Sequence, residues 1–311
     1  MNETMSVPQV ESMGWPKISI VTPSFNQAEF LKATIESVLS QNYPNLEYII
    51  IDGGSSDGSA EIIKQYESDL TYWCSEKDAG QYDAINKGFT QATGDIMAWI
   101  NSDDMYFPWT FRTVASIMTE VAEVEWLTTQ NLRAWDWHGY LTGFRNMPGY
   151  SREAFLDGCY LPVGKTLSSS VGWIQQESTF WKRGLWQRTG EAVRSDLYMA
   201  GDFELWSRFF EEAELTVTES PLAGFRRHEK QKTSNTDDYV AEASKVLSEI
   251  RQTVGWKPNV LRQFSTTAKL QRIPLLRRFV NERYGYKGSK LIRKQLQSPD
   301  GCWQLERYKF L

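Results

Sequence analysis

The chain has 311 residues, 41% of them hydrophobic and 23% charged, which is the make-up of a folded globular protein with a sizeable core, not a disordered one. No run approaches the ~20 apolar residues of a membrane-spanning helix. The opening stretch MNETMSVPQVESMGWPK has neither the basic region nor the apolar run of a secretory signal. Three widely spaced cysteines, Cys74, Cys159 and Cys302, suit neither a disulfide framework nor a CxxC metal site, so a cytoplasmic setting is expected.

The net charge of −5 is uneven: residues 260–311 carry +9 and residues 1–259 carry −14. An acidic body with a basic tail is an asymmetry that asks for a partner or a packing role. Nine of the 13 tryptophans lie between Trp99 and Trp206.

In chain order, 17–23 is a short apolar run stopped by proline and predicts a strand. Residues 30–41 place Phe30, Leu31, Thr34, Ile35, Val38 and Leu39 on one helical face. Residues 46–51 form a run that is apolar apart from Glu47, as in a strand buried on both faces. A Gly/Ser/Asp turn over 52–59 precedes a helix at 60–66. A strand at 70–74, a helix at 82–92, a strand at 96–100 and a helix at 109–119 follow. Strands alternating with helices predict a parallel sheet with right-handed crossovers. Ligands then sit beyond the carboxyl ends of the strands, where Pro23–Phe25, Asp52–Gly54 and Ser102–Asp104 converge. Residues 126–230 predict strands and loops around one clear helix, 203–212, with a hairpin at 135–140. A helix is expected at 239–253. The tail beyond Pro258 is basic and partly amphipathic.

Several motifs need weighing. Gly54–Gly58 (GSSDG) matches the hydrolase pattern G-x-S-x-G, but two residues separate it from the strand end, where the nucleophile elbow needs a tight turn. The dinucleotide fingerprint GxGxxG is absent. Asp103 and Asp104 at a strand end suit a divalent ion, which takes hard oxygen ligands. A helix cap or a solvated turn is the plain alternative.

Taken together, six segments resemble the donor half of a family-2 glycosyltransferase of the GT-A fold. They are Ile18–Asn26 (ISIVTPSFN), Ser37–Gln41 (SVLSQ), Asp52–Gly58 (DGGSSDG), Asp78–Gly88 (DAGQYDAINKG), Thr93–Asp95 (TGD) and Asn101–Asp104 (NSDD). Gln176–Trp181 (QESTFW), Gly201–Trp206 (GDFELW) and Phe225–His228 (FRRH) resemble its acceptor half. The likeness runs from about residue 17 to 232.

The resemblance implies a GT-A, Rossmann-like α/β fold with a mostly parallel central sheet flanked by helices. A mixed acceptor-side region and a helical C-terminal tail complete it. The implied divisions are an extension at 1–16, a nucleotide-sugar half at 17–125, an acceptor and catalytic half at 126–232 and a tail at 233–311. The implied activity is inverting sugar transfer from a nucleotide diphosphate sugar, UDP-linked by expectation. The acceptor would be a glycan or lipid-linked, in cell-surface or exopolysaccharide synthesis. A non-catalytic sugar-nucleotide-binding scaffold is the alternative.

Donor contacts are expected from Pro23, Phe25, Asp52, Asp78, Asp83, Ser102 and Asp103. Phe25 is placed to stack on the base and Asp52 to accept from base or ribose. Asp83 is equally a first-turn carboxylate favoured by the helix dipole. Asp103, Asp104 and His228 would hold Mn²⁺ or Mg²⁺, although His228 also reads as part of a basic surface patch. Asp202 is expected as catalytic base, with Glu177 second. Two departures stand out. Many relatives carry aspartate where this chain has Gly53, and Asn101 replaces the first acid of Asp-x-Asp.

Trp135 and Trp137 are candidates for an acceptor wall, whereas most other tryptophans read as core. In the tail, residues 270–294 fit an anionic membrane surface, giving a cytoplasmic protein peripheral on the membrane. Packing on the acidic body is the other reading, and no nucleic-acid motif accompanies the charge.

Overall fold

The computed structural model describes residues 14–161, 172–229, 231–232, 236–259, 261–262, 274–294 and 301–311. The chain alternates as the sequence predicts: β1 (Ile18–Ser24), α1 (Ala28–Leu39), β2 (Leu46–Asp52), α2 (Ser59–Gln65), β3 (Tyr72–Ser75), α3 (Gln81–Gln91), β4 (Ile96–Trp99). Then come β5 (Met105–Tyr106), α4 (Thr110–Glu120), β6 (Trp126–Thr129), β7 (Asn131–Trp135), β8 (Leu141–Asn146) and α5 (Arg152–Leu156). The rest is β9 (Phe180–Lys182), α6 (Arg183–Arg188), α7 (Gly201–Glu212), β10 (Leu215–Thr218), β11 (Ala223–Arg226), α8 (Thr236–Thr253), α9 (Pro274–Tyr284), β12 (Tyr286–Arg293) and β13 (Trp303–Phe310).

A nine-stranded sheet runs in the order β13-β12-β10-β6-β9-β4-β1-β2-β3. β1 pairs in parallel with β2 and β4, from Ile18 opposite Leu46 and Ile96. Every residue of β1 is buried, including Ser19, Thr22 and Ser24, as in a strand covered on both faces. β9 is antiparallel to β4 and β6. It brings the preceding turn, Gln176–Ser178, to the carboxyl end of β4. A second sheet, β5-β11-β7-β8, stands beside that edge. The hairpin expected at 135–140 is its β7–β8 connection.

The tryptophan excess is largely core. Trp99, Trp126, Trp181 and Trp206 are fully buried. Trp99 and Trp206 stack with centroids 5.8 Å apart, while Trp181 meets both nearly edge-on. Offset and edge-to-face contacts are the favoured arrangements of such rings. This block anchors β4, β6, β9 and α7 together, and so fixes where the last residues of β4 and the first of α7 lie.

The tail corrects one expectation. It is helical at α9, but β12 and β13 pair antiparallel with each other and β12 pairs with β10. The reason is visible in β12: Tyr286, Gly288, Ser289 and Leu291 are buried, whereas Lys287 is exposed. Part of the basic excess therefore decorates the outer face of a strand. Arg262 also packs the tail on the acidic body, 3.0 Å from Glu153 and 3.4 Å from Asp157. Within the amphipathic stretch, residues 270–273 lie outside the described residues, as do residues 1–13 of the N-terminal extension.

Candidate active site at the carboxyl edge of the sheet

The ends of β1, β2, β3 and β4 converge as expected. Phe25, just past β1, is 60% exposed, so its ring is available for stacking. Pro23 is buried within β1, and Ser102 is buried beyond β4.

The turn after β2 departs from expectation. Asp52 is fully buried. Its carboxylate accepts the N–H groups of Gly54 (3.2 Å) and Ser55 (2.9 Å) and the hydroxyls of Ser55 and Ser75, both at 2.6 Å. The group expected to face base or ribose is engaged by its own loop. Asp57 and Ser59 do similar work, accepting the Ala28 and Gln27 N–H groups at the start of α1. A helix start leaves N–H groups unsatisfied, and this turn supplies the missing acceptors. Ser56 is exposed and touches neither histidine, so nothing prepares it as a hydrolase nucleophile.

The glycine that replaces the usual aspartate has a local explanation. A Cβ on Gly53 would lie 2.7 Å from Asp78 Oδ2. The Asp78 carboxylate, coming from the turn before α3, fills the space that a side chain at 53 would take. Its other oxygen accepts the Gly80 N–H at 2.9 Å. Asp83, for which two readings stood open, accepts the Ala79 N–H at 3.0 Å and lies 3.5 Å from Lys87. That is the first-turn helix role.

Beyond β4, neighbouring acids diverge. Asp103 Oδ2 lies 3.0 Å from His228 Nε2. The His228 ring is buried between Phe30, at 4.5 Å, and the edge of Trp137, at 5.9 Å. Its Nδ1 has no hydrogen-bond partner among the described residues. Asp104 turns inward. It is fully buried, accepts the Arg226 N–H at 2.8 Å and faces the Asn101 amide at 3.4 Å. Burial, then the Glu177 and Asp103 charges, hold its carboxyl well above the usual range. Asp104 thus ties the strand end to β11 and is corrected from an expected metal ligand to a structural residue.

Asn101, standing where an acid is usual, is the hub of an amide network. It accepts from Gln81 Nε2 at 2.7 Å and faces Gln176 at 3.5 Å, while Gln176 donates to the Trp99 carbonyl at 2.7 Å. A neutral amide both donates and accepts, which a carboxylate in this position could not do.

Two further carboxyls belong to the same edge. Glu177 is buried with Oε1 lacking a partner among the described residues, and burial raises its pKa. Asp202 opens α7, is half-buried and has its pKa pushed up to about 6, chiefly by burial. Burial thus pushes both carboxyls towards their protonated forms, Glu177 the further.

The sequence reading did not single out Gln81, Tyr82, Gln176, Arg226, Lys232, Tyr239 or Glu242. Gln81, Tyr82, Gln176 and Arg226 fall within quoted motifs, so a signal existed for those. Lys232 stacks over Tyr198 at 4.4 Å and reaches Gln81 Oε1 at 3.3 Å, beside the donor turn.

The sequence model described as glycosyl transferase family 2 matches residues 19–158. Over that segment the chain is similar to family-2 glycosyltransferases. An uncharacterized glycosyltransferase of Mycobacterium tuberculosis is 40% identical over 92 residues, covering 29% of this chain and 35% of that protein. The matched segment thus spans about a third of that relative. One of Rickettsia typhi is 26% identical over 222 residues, 71% of this chain and 67% of the relative. In fold, the chain is similar to Staphylococcus aureus TarS 1-349 crystallised with UDP-GlcNAc. That likeness has a TM-score of 0.59 and 16% identity over 86% of this chain and 74% of that one. It is also similar to a mannosyltransferase of Pyrobaculum calidifontis in complex with GDP-Man and Mn²⁺, with a TM-score of 0.50, 14% identity and 88% of each chain covered. These likenesses show the GT-A fold.

Proposed function

We propose that the chain is an inverting, divalent-metal-dependent glycosyltransferase. It would move a sugar from a nucleotide diphosphate sugar, UDP-linked by preference, to a glycan or lipid-linked acceptor in cell-surface or secreted polysaccharide synthesis. The observation that carries this reading is the Asp103–His228 pair at the end of β4, with Asp103 and the half-buried Asp202 both facing Glu177.

The pair fits a divalent ion. A hard carboxylate oxygen and an imidazole nitrogen converge at 3.0 Å; the carboxylate suits Mn²⁺ or Mg²⁺, and the imidazole favours Mn²⁺ over the harder Mg²⁺. Among the described residues no three His, Cys, Asp or Glu side chains gather closely enough to hold a metal alone. Donor phosphates and water would supply the remaining ligands. When bound, the ion would stabilise charge on the leaving diphosphate.

The chain's own residues would do the rest. Phe25 stacks on the base, and Asp78 and Lys232 flank the sugar-diphosphate turn. Asp202 takes the acceptor hydroxyl proton as its oxygen attacks the anomeric carbon, which needs an ionised carboxylate within hydrogen-bond reach. Asp202 meets the first condition at neutral pH better than Glu177 does. Trp137, against His228, marks the acceptor side.

Relatives support the polymer class. A putative teichuronic acid biosynthesis glycosyltransferase of Bacillus subtilis is 36% identical over 96 residues. No described helix is long and apolar enough to cross a membrane. We assign contact with anionic lipid at a cytoplasmic surface to α9, where Phe279, Leu276 and Arg278 are exposed.

The scaffold reading rests on the lost acid at Asn101. A panel of nucleotide sugars with Mn²⁺ tests both. One donor should turn over, and Asp103→Ala or excess EDTA should abolish that turnover. Nucleotide binding with no turnover of any donor would favour the scaffold.

A further inference from the structure

The turn that launches α7 is held from two sides. From the donor half, the Tyr82 hydroxyl donates to the Met199 carbonyl at 2.6 Å and accepts the Gly201 N–H at 2.9 Å. Position 201 must be glycine for this, since a Cβ there would lie 2.7 Å from the Tyr82 ring. From the C-terminal side, the carboxylate of Glu242 on α8 accepts three consecutive N–H groups: Tyr198 at 2.8 Å, Met199 at 2.7 Å and Ala200 at 2.6 Å. One helical turn earlier, the Tyr239 hydroxyl faces Asp202 Oδ1 at 3.4 Å. Ala243, Val246 and Leu247 bury the same side of α8 against the body, so both polar groups sit on a fixed support. α8 lies outside the segment that the family's sequence model matches.

We infer that Glu242 and Tyr239 are positioning residues for Asp202, making α8 a working part of the catalytic site. Glu242 fixes the backbone from which Asp202 projects. Tyr239 faces one carboxylate oxygen at 3.4 Å, and the Phe203 N–H holds the carboxylate from its own helix. The Glu242 contacts are short and charge-assisted, and so strong and direction-setting; the Tyr239 contact is longer and orients more weakly, and small displacements of a catalytic group are costly in rate. The inference rests on the reading of Asp202 as base.

The groups facing Asp202 are Tyr239 and Glu242 from α8, Tyr82 from α3 and Glu177 from the turn before β9. Glu242 adds a negative charge that raises the Asp202 pKa, whereas the Tyr239 hydroxyl lowers it. The two substitutions should therefore move the acid limb of the pH–rate profile in opposite directions. Glu242→Gln should shift it to lower pH and Tyr239→Phe to higher pH. Turnover of both at the plateau should fall by about tenfold or more, with the donor KM little changed.

The experiment is kcat against pH at saturating donor for the full chain, for these two variants and for Asp202→Asn. If Asp202→Asn retains turnover, the base assignment itself is wrong. If Asp202→Asn is inactive but Glu242→Gln and Tyr239→Phe keep the wild-type plateau and acid limb, the positioning role is overturned. Should Glu242→Gln fail to fold, Tyr239→Phe decides alone, since it removes one hydroxyl and opens no cavity.

Discussion

The turn after β2 and the edge formed by β4 and α7 both carry clustered acids, and they use them in opposite ways. In the first, Asp52 and Asp57 are saturated by backbone N–H groups and serine hydroxyls. In the second, Glu177 has an oxygen with no partner among the described residues, Asp202 has its pKa pushed up to about 6, and Asp103 faces an imidazole. Saturated carboxylates are structural, because hydrogen bonds to the charged form lower its reactivity and fix geometry. Under-satisfied ones are where chemistry is expected. The more conspicuous motif is thus scaffolding, and the sparser cluster is the candidate machinery.

The largest expected effect is on turnover. Asp202→Asn should leave folding and nucleotide binding near normal and reduce kcat by at least ~10²-fold. If it keeps most of its rate while Glu177→Gln loses it, the base is Glu177.

Asp52→Ala should show the converse pattern. Leaving the Gly54 and Ser55 N–H groups without an acceptor should cost about 3 kcal/mol in chemical denaturation, with turnover per folded molecule reduced far less than in Asp202→Asn. Unchanged stability with lost donor affinity would return Asp52 to the donor.

Glu177→Gln sharpens the comparison through pH. The Glu177 pKa is raised in the fold, so wild-type stability from its protonated form is complete below the unfolded value. It is lost as pH rises through the folded one. The variant should therefore melt higher than wild type at neutral pH, with the gap closing towards pH ~4. A constant gap across that range would mean that Glu177 is ionised in the fold.

The smallest effect concerns α9. Binding to anionic liposomes should be weak, worth about 1 kcal/mol per basic residue, and should vanish as salt rises. No sedimentation at low salt would make the tail purely structural.

Much of the fold was legible because its signals are local. The apolar run of β1, predicted at 17–23, spans Ile18–Ser24, and the helix predicted at 30–41 spans Ala28–Leu39. The helix at 203–212 differs only by starting at Gly201, within the usual scatter of helix ends. The basic tail misled, because charge on the outer face of β12 looks the same in sequence as charge on a surface helix. At the site, motif membership pointed to Asp103, His228 and Asp202, the first two of which the structure brings within 3.0 Å. It did not distinguish Asp103 from Asp104, because that choice depends on Arg226 arriving from β11. Nor did it find Glu242, whose three N–H partners lie some forty residues earlier in the chain. Thr93–Asp95 belongs to the family pattern yet sits at the opposite edge, where Asp95 accepts the Lys17 N–H at 2.9 Å.

Calorimetric titration of UDP with and without Mn²⁺, into wild type, Asp103→Ala and Asp202→Asn, tests the division of labour most directly. The account predicts metal-dependent binding in wild type and Asp202→Asn and none in Asp103→Ala. Equal UDP binding by all three in excess EDTA would contradict it.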